Sequence, residues 1–382
     1  MPLDHLHRLA SRAHTIARFV TSPRRIRSAE QPRLRYVYQE IGATTRYRVW
    51  HAIEQATIAG LQAEAIDLDK QAKQLFDLRN VDVLLMHRIT DGLDTRLLAL
   101  AAQRRAIPVI YDTDDLIWDE REHEYNSYDH HYTPATIALL LKQIKHNRLM
   151  MTRADAIVCS TQTLASFASA SFARPTYVLP NVLSAEQVKQ SARARSNRIT
   201  PAHPIIGYFS GTITHSEDLE SIAEALVNTF ARYPTAQLWI YGAIKLRGSL
   251  ADLARAGRVI HRPAVDWRDL PAEIAAVTVN IAPLVDNPQR RAKSAIKFYE
   301  AAAVEVPTVA SALPPYTDAI DHRRTGLICA TSEDWSAALD ALLNDPSLRL
   351  HIAREAAAAI ATQTTMHQAG AFGSLMQQLV VL

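Results

Sequence analysis

"VTVNIAPLVDNPQRRAKSAIKFYEAAAVEVPTVAS", residues 277–311, is the stretch whose reading decides the fold. It opens on one near-continuous apolar run and closes on another, "VPTVAS" (306–311). Between them Lys293, Lys297 and Glu300 recur at spacings of three and four, which places them on one face of a helix. Strands that are apolar on both faces, joined by a helix, describe a parallel sheet covered on both sides.

The same rhythm runs outward in both directions. Upstream strand candidates are "LRYVYQ" (34–39), "AEAIDL" (63–68), "VDVLLMH" (81–87), "IPVIYD" (107–112), "AIVCS" (156–160) and "TYVLPN" (176–181), with amphipathic segments at 94–106 and 133–154. The alternation breaks at "SAEQVKQSARARSNRITPAHP" (184–204), which is polar, basic and proline-terminated, and reads as a linker. It restarts with "PIIGYFS" (204–210), "AQLWIYG" (236–242), "RVIH" (258–261), "VTVNIAP", "VPTVAS" and "GLICA" (326–330). The expected architecture is α/β, with two Rossmann-like domains facing a central cleft. Their spans are 31–183, a linker at 184–203, and 204–360, followed by a C-terminal helix over 361–382 that crosses back to the first domain. Ligands of open parallel sheets sit at the carboxyl ends of the strands.

Length and composition agree with this reading. The 382 residues suit two domains, and 48% hydrophobic with 21% charged residues is ordinary for a globular enzyme. A net charge of +3 gives no support to nucleic-acid binding. Cys159 and Cys329 are too few and too far apart for a zinc site or disulfide framework, so a reducing, cytoplasmic setting is expected. With only 11 glycines, neither G-x-G-x-x-G nor a Walker A loop occurs. Residues 1–30 stand apart: Leu6, Leu9, Ala13, Ile16, Ala17 and Val20 are helically spaced, with arginines flanking them. That pattern is an appended helix packed on the first domain or a peripheral contact with anionic lipid through residues 1–28, at the inner face of the membrane.

Two stretches of the second half carry chemistry. Lys293, Ser294 and Lys297 at a helix start combine cations with free N–H groups, an anion site suited to a diphosphate. Glu300, one turn on, can accept bonds from ribose hydroxyls; the plain alternative for all of them is a solvated Lys/Glu face. In "GYFSGTITHSEDLESIAEAL" (207–226), Gly211 and Thr212 form a strand-to-helix turn where backbone can approach a ligand closely.

Together with "LWIYG" (238–242), "VNIAPL" (279–284) and "TTMHQAGAFGSLMQQL" (364–379), these stretches resemble the donor-binding half of GT-B glycosyltransferases of family 4, group 1. In the first half, "TTRYRV" (44–49), "VIYDTDDLIWD" (109–119), "ADAIVCST" (154–161) and "YVLPN" (177–181) fit the same picture, so the resemblance spans residues 33–382. It implies transfer of a sugar from a nucleotide-diphosphate donor to a hydroxyl of a glycan or lipid-linked acceptor, with retention and without metal or other cofactor. Cell-surface polysaccharide or glycolipid synthesis is the setting it implies. Two departures stand out. The family's Glu-x7-Glu pair has its second member at Glu300, but Ala292 occupies the place of the first. Glu305 stands where the family tends to have glycine; in a left-handed conformation that costs on the order of 1 kcal/mol.

The acidic run Asp112, Asp114, Asp115 has three readings. A DxD metal site belongs to single-domain transferases, which conflicts with two Rossmann-like halves. A dehalogenase-type nucleophile belongs on the first strand of its fold, whereas these residues end the fourth. What stays is an acceptor-side role, in which Asp114 or Asp115 positions or deprotonates the acceptor hydroxyl, against capping or pairing with Arg46 and Arg48. Arg46 and Arg48, just after the first strand, meet an acceptor phosphate or the diphosphate, or form structural ion pairs. His123, His130 and His131 in the following loop are loosely spaced, and no metal is expected. A nucleotide-sugar epimerase or hydrolase of the same fold, and an inactive nucleotide-sugar-binding protein, are the competing functions.

Overall fold

The computed structural model describes residues 30–382; residues 1–29, which hold the basic amphipathic stretch, lie outside the described residues. The described chain divides into two compact units. The first takes residues up to Glu122, Ala138–Val182 and Thr365–Leu382, and the second takes His123–Ile137 and Leu183–Thr364.

The first unit is built on β1 (Leu34–Tyr38), β2 (Ala63–Asp67), β3 (Val83–His87), β4 (Val109–Thr113), β5 (Ala156–Cys159) and β6 (Thr176–Val178). They form one parallel sheet in the order β2-β1-β3-β4-β5-β6. Every residue of β1, β3 and β4 is buried, as strands covered on both faces require. Chain order reverses between β1 and β3, so their carboxyl ends border the crevice where open sheets bind ligands. The core joins Tyr36, Val83, Leu85, Ile110 and Val158 to Phe372, Met376 and Leu379 of the helix Thr365–Leu379.

The second unit repeats the plan with β7 (Ile205–Phe209), β8 (Gln237–Tyr241), β9 (Val259–Arg262), β10 (Val279–Ala282), β11 (Thr308–Ser311) and β12 (Leu327–Cys329). The order is β12-β11-β10-β7-β8-β9, again all parallel, with the reversal between β7 and β10. The two-sheet α/β architecture expected from the strand–helix rhythm is therefore present, with all twelve strand positions matched.

Two local features depart from the sequence reading, and a third is the left-handed residue it raised. The segment read as a linker is helical over Ala185–Ser196. Ser184 caps it, accepting from Gln187 N–H at 3.2 Å while Gln187 Oε1 takes the Ser184 N–H at 3.1 Å. Residues 123–137, flanked in sequence by the first unit, are part of the second. Glu305 is left-handed, at φ +53°, the strained conformation glycine would relieve.

Candidate functional site

At the switch point of the second unit, β7 runs into the loop Ser210–His215 and β10 into the turns before the helix Ile296–Ala303. The loop lies hard on the end of β8. Ser210 N–H bonds Tyr241 O at 3.0 Å, and a Cβ on Gly242, whose φ is +106°, would sit 1.6 Å from Ser210 O. Only glycine allows this approach, which holds Gly211 and Thr212 exposed at the sheet's carboxyl edge.

Lys297 lies in the first turn of the helix. Its ammonium is buried without a hydrogen-bond partner and sits 4.7 Å over the Tyr208 ring. Burial pulls its pKa down to about 8, with Asp218 and Glu300 opposing the shift and Arg290 and Lys293 adding to it. Lys293, Glu300 and Lys297 thus share one electrostatic neighbourhood, but Lys293 and the half-buried Ser294 lie just ahead of the helix, so Lys293 is not on its face as the spacing predicted.

Behind them lies a buried network that the sequence did not disclose. Arg290, 1% exposed, gives Nε to both oxygens of Asp218 at 3.0 Å. It also reaches Asn126 Oδ1 at 2.6 Å and Thr214 O at 2.7 Å. Asp218 further accepts from His215 Nδ1 at 2.6 Å and from Val285 N–H at 3.0 Å. Burial alone would raise Asp218, but these donors reverse it and hold the carboxyl at about 2. His215, by contrast, is driven to about 3 by burial and stays neutral. The segment 123–137 joins the network: Ser127 Oγ and His130 Nδ1 bond Glu217 at 2.7 and 3.1 Å, and Asn287 bonds Tyr125 O at 2.9 Å. The cue in sequence was "THSED", where His215 and Asp218 stand one helical turn apart.

In the first unit Arg48 forms the structural ion pair, one of its two readings. It is 1% exposed and bonds Asp112 at 2.6 and 3.1 Å, Asn181 Oδ1 at 3.0 Å, and Leu179 O. A guanidinium with four of its five N–H groups on buried acceptors acts as a structural strut. Asp112 is fully buried and also bonds His87 Nδ1 at 2.9 Å. Burial would raise its pKa, yet Arg48 and His87 bring it below the usual carboxylate range.

Asp114 and Asp115 belong to a different group. They pair with Arg88 at 3.8 Å each. Arg88 follows β3 in a left-handed conformation, φ +50°. Burial disfavours its charge, but Asp114, Asp115, Glu40 and Glu122 outweigh burial and raise its pKa. Strain in a non-glycine residue persists where surroundings over-determine it, and here four carboxylates do so. Arg46 is half-buried with its guanidinium 5.1 Å from the Tyr47 ring centre. Among the described residues no group of His, Cys, Asp and Glu has metal-holding geometry, His123, His130 and His131 included.

The fold matches solved GT-B glycosyltransferase structures. HepE of Anabaena, solved in complex with UDP-glucose, superposes with a TM-score of 0.61 at 13% identity over 92% of this chain and 100% of that one. Sucrose-phosphate synthase of Thermosynechococcus elongatus gives 0.57 at 14% identity, covering 91% and 98%. WaaG, a glycosyltransferase involved in lipopolysaccharide biosynthesis, gives 0.59 at 13% identity, covering 90% and 99%. No curated protein sequence matches the chain. Residues 203–345 match the family model described as glycosyl transferases group 1. The second unit thus resembles the group 1 glycosyltransferases over residues 203–345, and the chain has the fold of the GT-B structures.

Proposed function

We propose that the protein moves a sugar from a nucleoside-diphosphate sugar to a hydroxyl acceptor, with the donor held on the second unit. The observation that carries this reading is Lys297. A buried ammonium with no hydrogen-bond partner is costly unless a ligand completes it. A diphosphate supplies the missing acceptors, and charge growing on it as the glycosidic bond breaks strengthens the contact. Gly211, Thr212, Lys293 and Ser294 complete the cradle, and Glu300 takes the ribose. The UDP and UDP-glucose complexes of HepE support a donor of this class.

On the acceptor side, Asp114 and Asp115 orient the hydroxyl, anchored through Arg88, while Arg46 contacts phosphate. The reading includes retention, independence from metal, and an acceptor in cell-surface polysaccharide or glycolipid synthesis, met at the cytoplasmic face of a membrane that residues 1–28 touch. No described helix is long and apolar enough to cross a membrane. Calorimetry with UDP, GDP and ADP, in EDTA and then in magnesium, tests the donor site. One nucleotide binds in EDTA, and Lys297→Ala weakens it about 10- to 100-fold, the range for a charged hydrogen bond. Binding that needs magnesium, or is indifferent to Lys297→Ala, removes this site.

A further inference from the structure

His215 and Asp218 form a pair that diphosphate binding leaves unused. The Asp218 carboxylate is fixed by Arg290 on both oxygens, by Val285 N–H and by His215 Nδ1. A carboxylate only accepts, so Nδ1 is the protonated nitrogen of the ring and Nε2 carries a lone pair. The imidazole stays neutral, since burial holds it at about 3. Among the described residues the ring's one hydrogen bond is through Nδ1, and the side chain keeps 15% of its surface exposed. The ring is also well placed. Tyr208 hydroxyl donates to His215 O at 3.0 Å, and the Tyr208 ring carries the Lys297 ammonium. Lys297 is close enough to depress His215 further.

Diphosphate oxygens at neutral pH only accept, and two acceptors form no hydrogen bond. The group that meets Nε2 must bring a proton of its own, and beside a diphosphate the donor molecule offers hydroxyls. We propose that His215 Nε2 accepts a hydrogen bond from a hydroxyl of the transferred sugar, with Asp218 as the positioning residue that fixes the tautomer and aims the ring. The pair then selects among sugars by where a hydroxyl stands. This rests on the donor reading above.

The test is calorimetry on the full chain. The wild-type protein is titrated with UDP and UDP-glucose, GDP and GDP-mannose, ADP and ADP-glucose, and the pair that binds tightest is carried forward. His215→Leu should weaken the nucleotide sugar about 3- to 10-fold and leave the nucleotide within about twofold, as expected for one neutral hydrogen bond. His215→Gln, whose amide oxygen reaches the place of Nε2, should restore the sugar nucleotide to within about threefold of wild type. Equal weakening of both ligands places His215 on the ribose or the loop and overturns the assignment, as does no weakening at all. Binding of none of the six by the wild-type protein overturns the donor reading itself, a separate outcome.

Discussion

Lys297 and Arg48 show how much one side chain's surroundings decide. Both are basic, but the Lys297 ammonium is buried without a hydrogen-bond partner while Arg48 makes four hydrogen bonds to buried groups. For Lys297 the sign of pH dependence follows from its pKa of about 8, below the ordinary 10.5. The ammonium is present below that value and is lost as pH rises through it. UDP affinity should therefore fall from about pH 7 to about pH 9, with proton uptake on binding near the upper end. Calorimetry in buffers of different ionisation enthalpy reads both effects, and Lys297→Met should abolish them. Between about 8 and 10.5 the unfolded chain binds the extra proton, so this residue makes the unliganded protein more stable as pH rises through that window. Arg48→Met should cost roughly 3–5 kcal/mol, because Asp112 is left charged and uncompensated in the core. Denaturant unfolding measures it. The depressed Asp112 contributes stability above the ordinary carboxylate value of 3.8 and loses it as pH falls through its folded pKa.

At the scale of elements, the end of β8 supports the turn after β7. Gly242→Ala would drive a methyl into Ser210 O and force a left-handed residue, so the loss should be roughly 2 kcal/mol or more. Because the displaced atoms belong to the turn bearing Gly211 and Thr212, UDP affinity should fall with thermal stability; a variant that melts early but binds normally would separate the two. Ser184→Ala removes one cap of the Ala185–Ser196 helix and should cost about 1 kcal/mol, with donor binding unchanged. That cap was readable in advance, since Ser184 and Gln187 have capping-box spacing, but the basic, proline-terminated composition around them masked it. The anchoring of 123–137 was not readable. Asn126, Ser127 and His130 find Arg290 and Glu217 more than eighty positions away, and no local pattern announces such partners.

At the scale of the molecule, each sheet carries its own core, and the C-terminal helix serves the first. Phe372, Met376 and Leu379 are fully buried there beside Ala52 and Ala56. Phe372→Ala should cost about 3–5 kcal/mol. Deleting 365–382 should unfold the first unit and leave the second folded. Hydrogen exchange would show protection lost across β1–β6 and kept across β7–β12; uniform loss would mean that the units do not fold separately.

Strand positions, parallel pairing and the two-sheet plan were determined by sequence alone, because an apolar run of five residues bounded by helical periodicity has few other places to go. Lys297 at a helix start was legible for the same local reason, as was Gly211 at its turn, whereas Lys293 lies ahead of the helix Ile296–Ala303. Tertiary structure alone decided which charges remain available. Arg48 was consumed by Asp112, sixty-four positions away, Asp114 and Asp115 were given to a strained Arg88, and His215 was aimed by Asp218 and Arg290. Ion pairing acts across space between groups of any separation in the chain, whereas the patterns a sequence displays are those of neighbours.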